Sequence, residues 1–403
     1  MSAEFIKPLD NALLQKYDVR YYGSDCDIYD IINDFLEETQ SERAFYIIDL
    51  GKILEAYMNW VNLLPNVKIF YAIKSNPNPV LLETLSSLGV SFDCASENEI
   101  KQVIEITQDP SRIIFANPCK MTSQIRYARA NDVDLMTFDC EEELYKIRLY
   151  HQYSKLVLRL AVDDSQSVCR FNKKFGCHLD QVDSLLSIAK ALRLNVVGIS
   201  FHVGSSCSSP KSFYDAIADT RKAYDIAKSM DINIQIIDIG GGFPGNDDKM
   251  FQDIAININN AIKDNYEELK DTIQFIAEPG RYFSQRSHTL VLNVIGKKVH
   301  QQGEDKHFIY YLNDGLYGSF NCIYFDHYSP TILPFNERDG KLYKSTLFGP
   351  TCDSMDTIYD EIMLPELSVG DWIYVENFGA YTVAAASSFN GFKTSVCKYV
   401  VRS

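Results

Sequence analysis

The chain has 403 residues, of which 46% are hydrophobic and 23% charged, a composition typical of a soluble globular protein with a large core. Its formal net charge of −15 argues against nucleic-acid and anionic-membrane partners, which need a basic surface, and is compatible with a cationic substrate. No segment approaches the roughly 20 consecutive apolar residues that span a bilayer, and the N-terminal residues lack the apolar region of a secretory signal. The ten cysteines occur singly, without CxxC spacing, which predicts reduced thiols, a cytoplasmic location and no metal site.

Short apolar runs alternate with segments of helical periodicity from Phe45 onward. Nine of these runs predict β-strands, over residues 45–50, 68–74, 90–96, 112–118, 135–139, 155–161, 196–204, 234–241 and 273–280. Amphipathic helices are predicted between strands, over residues 79–88, 97–106, 185–192 and 210–230. Such alternation is typical of a parallel sheet. Because a closed (β/α)8 barrel needs eight strands, we interpret the first run as a lead-in strand.

Reactive or charged side chains recur at the C-terminal ends of the predicted strands. They are Lys74, Asp93, Arg159, His202, the glycines at 240–242, Glu278 and Arg281. In a closed barrel these strand ends converge on one mouth, whereas an open doubly wound sheet brings together only the strands at its switch point. The spread of these residues over the whole run therefore favours an α/β fold with a (β/α)8 barrel over the open sheet.

The pattern changes after about residue 283, where helical periodicity largely disappears. The segments TLVLNVIGKKV, HFIYYLND, GDWIYVENFG and SVCKYVVRS predict strands separated by turns. We therefore predict two domains: a barrel over residues 46–283, and a second, all-β domain formed by residues 1–45 and 284–403.

The segment 235–245 reads QIIDIGGGFPG and is typical of an anion-binding loop. It ends a predicted buried strand and then leaves three glycines whose peptide N–H groups can point at an anion. An ordinary tight turn would produce the same run of glycines. Arg281 adds a guanidinium, and backbone donors combined with a guanidinium suit a phosphate.

Three more residues point to the chemistry of that pocket. Lys74 closes the apolar strand FYAIK, where an imine-forming amine is placed, although a lysine there can also simply reach water. Glu278 lies in the apolar run FIAEPGR and is costly to bury without a cation such as a pyridinium N–H. His202, in FHVG, supplies a flat ring or is an ordinary core histidine. Together with the phosphate loop, they predict a pocket for pyridoxal 5′-phosphate (PLP).

Motifs along nearly the whole chain resemble those of the eukaryotic ornithine decarboxylases, in the same order. They are YAIKSN, FDCASENEI, FANPCK, MTFD, LVLR, SFHVGS, DIGGGFPG, AEPGRY, NDGLYGSFNC, GPTCDSMD and ENFGAYTVAAASSFNGF. This family belongs to the alanine-racemase-like, fold-type III group of PLP enzymes, so the resemblance implies a β/α barrel followed by a β domain.

The resemblance also implies roles for the barrel residues. Lys74 is the Schiff-base lysine, Glu278 keeps the pyridine nitrogen protonated, and His202 stacks on the ring. The phosphate ligands implied are Ser205, Gly240, Gly241, Gly242, Arg281 and Tyr381. Residues that orient the lysine and the cofactor are Asp93, Glu99 and Arg159.

Further implied roles fall in the β domain. Cys352 returns a proton to Cα after decarboxylation, and Asp353 and Asp326 pair with the distal ammonium of the substrate. Tyr317 and Phe389 belong to the same substrate site. In the family, the cysteine and its neighbouring aspartate come from the other subunit, so the resemblance implies a homodimer with shared active sites.

The implied reaction converts L-ornithine to putrescine and CO2, the first step of polyamine biosynthesis. Aspartates suit a short terminal amine, which favours ornithine over lysine, arginine or diaminopimelate. The residues are also compatible, though less well, with a racemase, an unrelated phosphate-binding barrel or a non-catalytic protein like the antizyme inhibitors. The sequence leaves open an antizyme-like regulator. Phe325 replaces a tyrosine common in animal relatives, with activity expected to survive, and the end at Ser403 lacks the vertebrate degradation extension.

Overall fold

Helices and strands alternate along most of the chain in the computed structural model, which describes residues 11–38, 41–303, 305–336 and 340–402. The helices are α1 Asn11–Lys16, α2 Ile28–Glu38, α3 Leu50–Leu63, α4 Pro79–Ser87, α5 Glu97–Thr107, α6 Thr122–Ala130, α7 Glu141–Tyr150, α8 Val182–Ala191, α9 Pro210–Ser229, α10 Asp248–Tyr266, α11 Arg281–Ser284 and α12 Cys322–Phe325. Among these described helices, none is long and apolar enough to span a bilayer.

The strands alternate with these helices up to residue 277 and follow one another more closely beyond it. They are β1 Arg20–Tyr22, β2 Phe45–Asp49, β3 Val67–Ala72, β4 Ser91–Cys94, β5 Ile113–Phe115, β6 Leu135–Phe138, β7 Lys155–Arg159, β8 Ser167–Cys169, β9 Asn195–Ser200, β10 Ser205–Cys207, β11 Ile236–Asp238, β12 Gln274–Ala277, β13 His288–Gln302, β14 Asp305–Leu312, β15 Leu333–Pro334, β16 Leu342–Phe348, β17 Thr357–Pro365, β18 Trp372–Val375 and β19 Val396–Arg402.

A closed parallel barrel occupies the first part of this run. Its strands follow the order β11-β12-β3-β4-β5-β6-β7-β9, so that β9 returns to β11 and closes the ring. Phe70, Ile114, Val157 and Ile276 come from four of these strands and pack together as a buried apolar cluster. Such a filled interior is a core and not a channel. The predicted (β/α)8 barrel is confirmed, and the open sheet is excluded.

Helices around the barrel begin at polar caps that the sequence supplies. Asn78 accepts from the N–H groups of the first turn of α4, which starts with Pro79. Ser96 caps α5, and Asp247 accepts from the N–H of Met250 at the start of α10. Each cap satisfies backbone donors that have no partner within the helix, which fixes where the preceding loop ends.

A mixed sheet contains the remaining long strands, in the order β1-β19-β2-β13-β14-β16-β17, with β18 paired to β13 and β15 paired to β18. Strand β2 pairs in parallel with β19 and antiparallel with β13. The first of the nine predicted strands therefore belongs to this sheet and not to the barrel. Helix α2 packs Ile31 and Ile32 against Ile47 and Val291 of the sheet, which adds a helix to the predicted all-β domain.

The chain divides into two compact units. One comprises residues 56–283, and the other comprises the described residues up to Glu55 together with those from Ser284 onward. Residues 46–55, which were predicted with the barrel, fall in the second unit. The physical reason is hydrogen bonding: strand β2 is bonded on both sides by strands that follow residue 284.

Candidate active site

The carboxyl ends of the barrel strands carry the polar residues singled out in the sequence. Lys74 follows β3, Asp93 lies in β4, and Arg159 ends β7. His202 lies two residues after β9, and Glu278 directly follows β12. Because the carboxyl ends of parallel barrel strands open on the same face, these five side chains share one mouth.

Lys74 and Asp93 form an ion pair between Nζ and Oδ2. The side chain of Asp93 is 1% exposed, whereas that of Lys74 is 40% exposed. A buried carboxylate thus anchors an amine that remains open to small molecules. This is the arrangement that a nucleophilic lysine needs, because its nitrogen has to be both positioned and reachable.

The glycines at 240–242 form a cradle in which a side chain cannot fit. A Cβ on Gly240 would lie 2.2 Å from the carbonyl oxygen of Phe201, and one on Gly242 would lie 2.5 Å from that of Gly204. Both glycines also have positive φ, +62° and +102°. The loop therefore presents bare backbone to whatever lies in front of it.

Arg281 and Ser205 add side-chain donors within the same unit. Both residues are buried, and Nη2 of Arg281 donates to Oγ of Ser205 at 3.1 Å. A guanidinium and a hydroxyl held together in this way form a donor set suited to a phosphate. Tyr381, which was also predicted as a phosphate ligand, lies in the mixed-sheet unit with φ of +56°, so its role stays a prediction.

Glu278 is a buried acid with an unsatisfied oxygen. The residue is 8% exposed, and Oε1 has no hydrogen-bond partner. Burial raises the pKa of Glu278 well above its ordinary value, and the nearby acids Asp238 and Asp93 raise this pKa further, while Lys74 opposes them. A buried carboxyl oxygen without a partner is suited to receive a cationic N–H donor.

Asp238 is a second buried acid beside Glu278, and the sequence reasoning missed it. Burial raises the pKa of Asp238 to about 7. Its Oδ1 accepts from the N–H of Gly240 at 2.9 Å. The available signal was its position, since it ends a buried strand two residues before the glycine run.

His202 is a neutral imidazole in this site. Burial lowers its pKa well below the ordinary value, and the positive charges of Arg159 and Lys74 act in the same direction. Nδ1 accepts from the N–H of Gly204 at 3.0 Å, which assigns the remaining ring proton to Nε2. The edge contact with Phe171, at 4.9 Å between ring centroids, fixes the ring.

Phe171 belongs to a loop that the sequence reasoning also missed. Oδ2 of Asp164 accepts from the N–H groups of Phe171 and Asn172, at 2.6 and 2.9 Å. Strand β8 of this loop pairs antiparallel with β10, aligning Cys169 with Ser205. The loop is thus held by hydrogen bonds within itself and by pairing with β10, the strand that contains Ser205.

The predicted substrate residues of the mixed-sheet unit form a second cluster. Tyr317 stacks on Phe389 at 4.4 Å between ring centroids, and its hydroxyl donates to Oδ2 of Asp353. Cys352 is exposed, and its backbone N–H donates to Oδ1 of Asn390 at 2.9 Å. Four residues from three distant segments of the sequence are therefore brought together, and Asn390 joins them without having been predicted.

A buried aspartate holds the two loops of this cluster in place. Oδ1 of Asp356 accepts from the N–H of Leu316 at 2.7 Å, and Oδ2 accepts from the N–H of Thr351 at 3.0 Å. These donors are the neighbours of Tyr317 and Cys352 in the chain. Asp326 lies in the same unit, buried directly after α12.

These two sets of residues define a class of protein: a parallel-barrel enzyme with a reachable lysine, a phosphate cradle and a buried acid. Residues 50–285 match the family described as "Pyridoxal-dependent decarboxylase, pyridoxal binding domain". The chain belongs to this family, and the predicted resemblance is confirmed.

Relatives of the chain cover most of its length. It is 45% identical over 389 residues to the ornithine decarboxylase of Mus musculus, in an alignment that covers 92% of this chain and 84% of that protein. It is 44% identical over 384 residues to antizyme inhibitor 2 of Xenopus laevis, across 92% and 84% of the two chains. Among solved structures, the arginine decarboxylase of Paramecium bursaria Chlorella virus superposes with a TM-score of 0.88 at 37% identity, over 93% of this chain and 100% of that one.

Proposed function

We propose that this protein is a PLP-dependent decarboxylase that converts L-ornithine to putrescine and CO2, the first step of polyamine biosynthesis, in the cytoplasm. The observation that carries this proposal is the barrel mouth, where the reachable Lys74 is paired with buried Asp93 and acts on the pKa of buried Glu278. The 45% identity to a mouse ornithine decarboxylase supports the choice of substrate.

The residues present fit the cofactor on two structural grounds. The buried Oε1 of Glu278 has no hydrogen-bond partner, and the close approach of Gly240 and Gly242 to the carbonyls of Phe201 and Gly204 excludes side chains from both positions, so the loop presents only backbone. When bound, the cofactor supplies a cationic ring that accepts the electron pair left on Cα as CO2 departs. Lys74 is the point of attachment, and Glu278 holds a proton at the ring nitrogen.

Other barrel residues bind and orient the same group. His202, neutral and fixed by Gly204 and Phe171, covers the ring face without adding a positive charge. The phosphate ligands of the barrel unit are Ser205, Gly240, Gly241, Gly242 and Arg281. Arg159 and Asp93 set the charge balance of the site, since their charges act on His202 and on Glu278 respectively.

In the mixed-sheet unit, Cys352 returns a proton to Cα, and Asp353 and Asp326 recognise the distal ammonium. The N–H of Met355 and the hydroxyl of Tyr317 lower the pKa of Asp353, which keeps this carboxylate ionised at neutral pH. An ionised acid held by an aromatic hydroxyl is suited to pair with an alkyl ammonium.

The proposal includes a homodimer in which Cys352 and Asp353 of one protomer serve the barrel of the other. Support comes from the family resemblance of the GPTCDSMD segment. Mixing inactive Lys74→Arg and Cys352→Ala proteins under refolding tests it. Random pairing gives one intact site in half of the dimers, so activity should return to about a quarter of the wild-type value. Sites formed within one protomer would give no recovery.

The first experiment measures CO2 release by the purified protein with added PLP, from L-ornithine, L-lysine and L-arginine in parallel. Release from ornithine is expected, with little from the other two. Lys74→Arg removes it, whereas Lys101→Arg, an exposed lysine on α5, serves as the matched control and keeps it. If CO2 is released preferentially from arginine or lysine, that amino acid is the substrate instead of ornithine, and the proposed PLP chemistry is retained.

The 44% identity to an antizyme inhibitor supports a second candidate, a non-catalytic protein of the same fold. Binding of PLP distinguishes the enzyme from the non-catalytic protein. Absorbance of a lysine-bound cofactor, lost in Lys74→Arg, favours the enzyme. A protein that neither binds PLP nor releases CO2 from any of the three amino acids would belong with the inhibitor.

A further inference from the structure

The chain between β7 and α8 contains a buried aspartate to which the proposed function gives no role. Asp164 is 7% exposed, whereas its neighbour Asp163 is an exposed residue. Oδ2 of Asp164 accepts from the N–H groups of Phe171 and Asn172, and the carbonyl oxygen of Asp164 accepts from the N–H of Ser167 at 3.1 Å. One carboxylate therefore closes the chain into a compact loop, which we call the Asp164 loop (residues 163–176).

Phe171 leaves this loop from a backbone that is hydrogen-bonded on both sides. Its N–H donates to Asp164 at 2.6 Å, and its carbonyl oxygen accepts from the N–H groups of Lys174 and Phe175, at 2.9 and 3.0 Å. Hydrogen bonds of this kind remove backbone freedom that the chain would otherwise have. The direction in which the Phe171 side chain points is therefore set by the Asp164 loop.

The Asp164 loop contacts His202 and the residues that follow it. The rings of Phe171 and His202 meet edge to face, with 4.9 Å between centroids and an angle of 75° between planes. The N–H of Gly204 donates to Nδ1 of the same imidazole at 3.0 Å. A Cβ on Gly204 would lie 2.6 Å from the carbonyl oxygen of Cys169, so the loop backbone lies directly against this glycine. The imidazole is thus held by its own chain and by the Asp164 loop.

We propose that Asp164 is a positioning residue of the cofactor site, which holds Phe171 against His202 and so keeps the imidazole oriented to cover the ring of PLP. Asp164 acts through Phe171 and needs no contact with the cofactor. Without a fixed Phe171, the imidazole can rotate, and part of the binding free energy is spent on ordering it again. This inference rests on the proposed binding of PLP.

The test compares the dissociation constant of PLP, measured from the absorbance of the lysine-bound cofactor, in Asp164→Ala, Phe171→Ala and the double variant. Each single substitution should weaken binding about fivefold, since an aromatic edge contact contributes on this order. Because Asp164 acts through Phe171, the double variant should bind no more weakly than Phe171→Ala. Asp164→Asn, which keeps an oxygen for both N–H groups, should restore most of the affinity.

The neighbouring aspartate supplies the matched control. Asp163 is exposed, and its Oδ1 accepts from the N–H of Ser165 at 2.9 Å. Asp163→Ala therefore removes a carboxylate and a backbone hydrogen bond at the adjacent position, but leaves the contacts of Phe171 in place. Its affinity for PLP should equal that of the wild type.

A second readout needs no cofactor. Arg170, Lys173 and Lys174 are exposed residues of the Asp164 loop at which trypsin can cut once the loop opens. In cofactor-free protein, Asp164→Ala should be cut in this loop about tenfold faster than the wild type, because its open form is more populated. Cleavage of Asp164→Ala at the wild-type rate would mean that Asp164 does not hold the loop, and the inference would be overturned.

The outcomes separate this inference from the proposed function. Unchanged PLP affinity in Asp164→Ala, or losses that multiply in the double variant, would overturn the inference. If Asp164→Ala does not fold, Phe171→Ala carries the test, and wild-type affinity in that variant would also overturn it. If the wild type shows no lysine-bound PLP absorbance, the proposed function itself fails, whereas the trypsin rates still report on Asp164.

Discussion

Lys74 and Lys120 of the barrel unit each pair with a buried carboxylate, and their difference shows what makes one lysine reactive. Lys120 pairs with Glu143 at 2.9 Å, and its Nζ also donates to the carbonyls of Thr137 and Asn117, at 2.6 and 3.1 Å. Its side chain is 0% exposed, against 40% for Lys74. Both amines have a buried acid, so pairing is common to them, and accessibility separates the chemical lysine from the structural one.

The largest expected effect comes from replacing the reachable lysine with arginine. Lys74→Arg keeps a cation for buried Asp93 but removes the primary amine that bonds the cofactor. Decarboxylation should fall by at least about 10³-fold. The free energy of unfolding of the cofactor-free variant, measured by thermal denaturation, should change by less than about 1 kcal/mol, because the ion pair is retained. A variant that still releases CO2 at the wild-type rate would contradict the role of Lys74.

The same substitution at the enclosed lysine should give the opposite result. Lys120→Arg forces a larger group into a fully buried site, which should destabilise the protein by about 2 kcal/mol. The folded fraction should decarboxylate normally, as measured by CO2 release per bound PLP. Lys146→Arg, at the partly exposed partner of Glu143, is the control and should be close to wild type. If a stable, PLP-loaded Lys120→Arg protein had lost activity, the conclusion that Lys120 is only structural would be contradicted.

The buried acids Asp238 and Glu278 should make the stability of the protein depend on pH in a way that the two lysine–carboxylate pairs do not. The pKa of Asp238 is about 7 in the folded state and about 3.9 in an unfolded chain, so the folded state binds more protons between these values. Stability of the cofactor-free protein should therefore decrease as the pH rises from 5 to 7, by roughly 2 kcal/mol. Denaturant titrations across this range would measure it, and Asp238→Asn should show a flatter profile.

Removing only the charge of Asp93, the carboxylate that pairs with Lys74, should have the smallest of these effects. Asp93→Asn keeps an oxygen that can accept from Lys74 but lowers the attraction between the two groups. We expect about a tenfold decrease in the rate of CO2 release, with PLP still bound, because Lys74 is less well positioned. An unchanged rate would show that the 40% exposed lysine does not need its charged anchor.

The sequence predicted the barrel and its polar strand ends because both depend on local patterns. Lys74, Glu278 and the glycines at 240–242 each close a recognisable apolar run, and the barrel topology brings such positions together. Asp164 and Asp356 were missed because their partners Phe171 and Leu316 lie 7 and 40 residues away in the chain. Asp238 was overlooked although it lies only two residues before its partner Gly240.

The strand over residues 45–50, which was set apart from the eight barrel strands as a lead-in but placed in the barrel domain, teaches the same lesson at a larger scale. The run 45–50 has the apolar pattern of a barrel strand, and all five residues of β2 are buried. Its actual neighbours, β13 and β19, begin at His288 and Val396, more than 200 residues later. Periodicity identifies a buried strand, but the choice between two sheets is made by pairing partners that the local pattern does not contain.

The position of β19 inside the mixed sheet has a consequence for synthesis on the ribosome. This strand inserts between β1 and β2, and Arg402 reaches Asp49 at 2.6 Å. The barrel unit is one continuous segment and can close once Phe283 has emerged, whereas β2 can pair with β13 soon afterwards but lacks its second neighbour until β19 has been made. Domains fold as units during translation, so the barrel is expected to fold first while the edge of β2 that pairs with β19 stays open. Chains interrupted before Val396 would then carry a finished barrel beside an open sheet edge, a form that quality-control proteases can recognise.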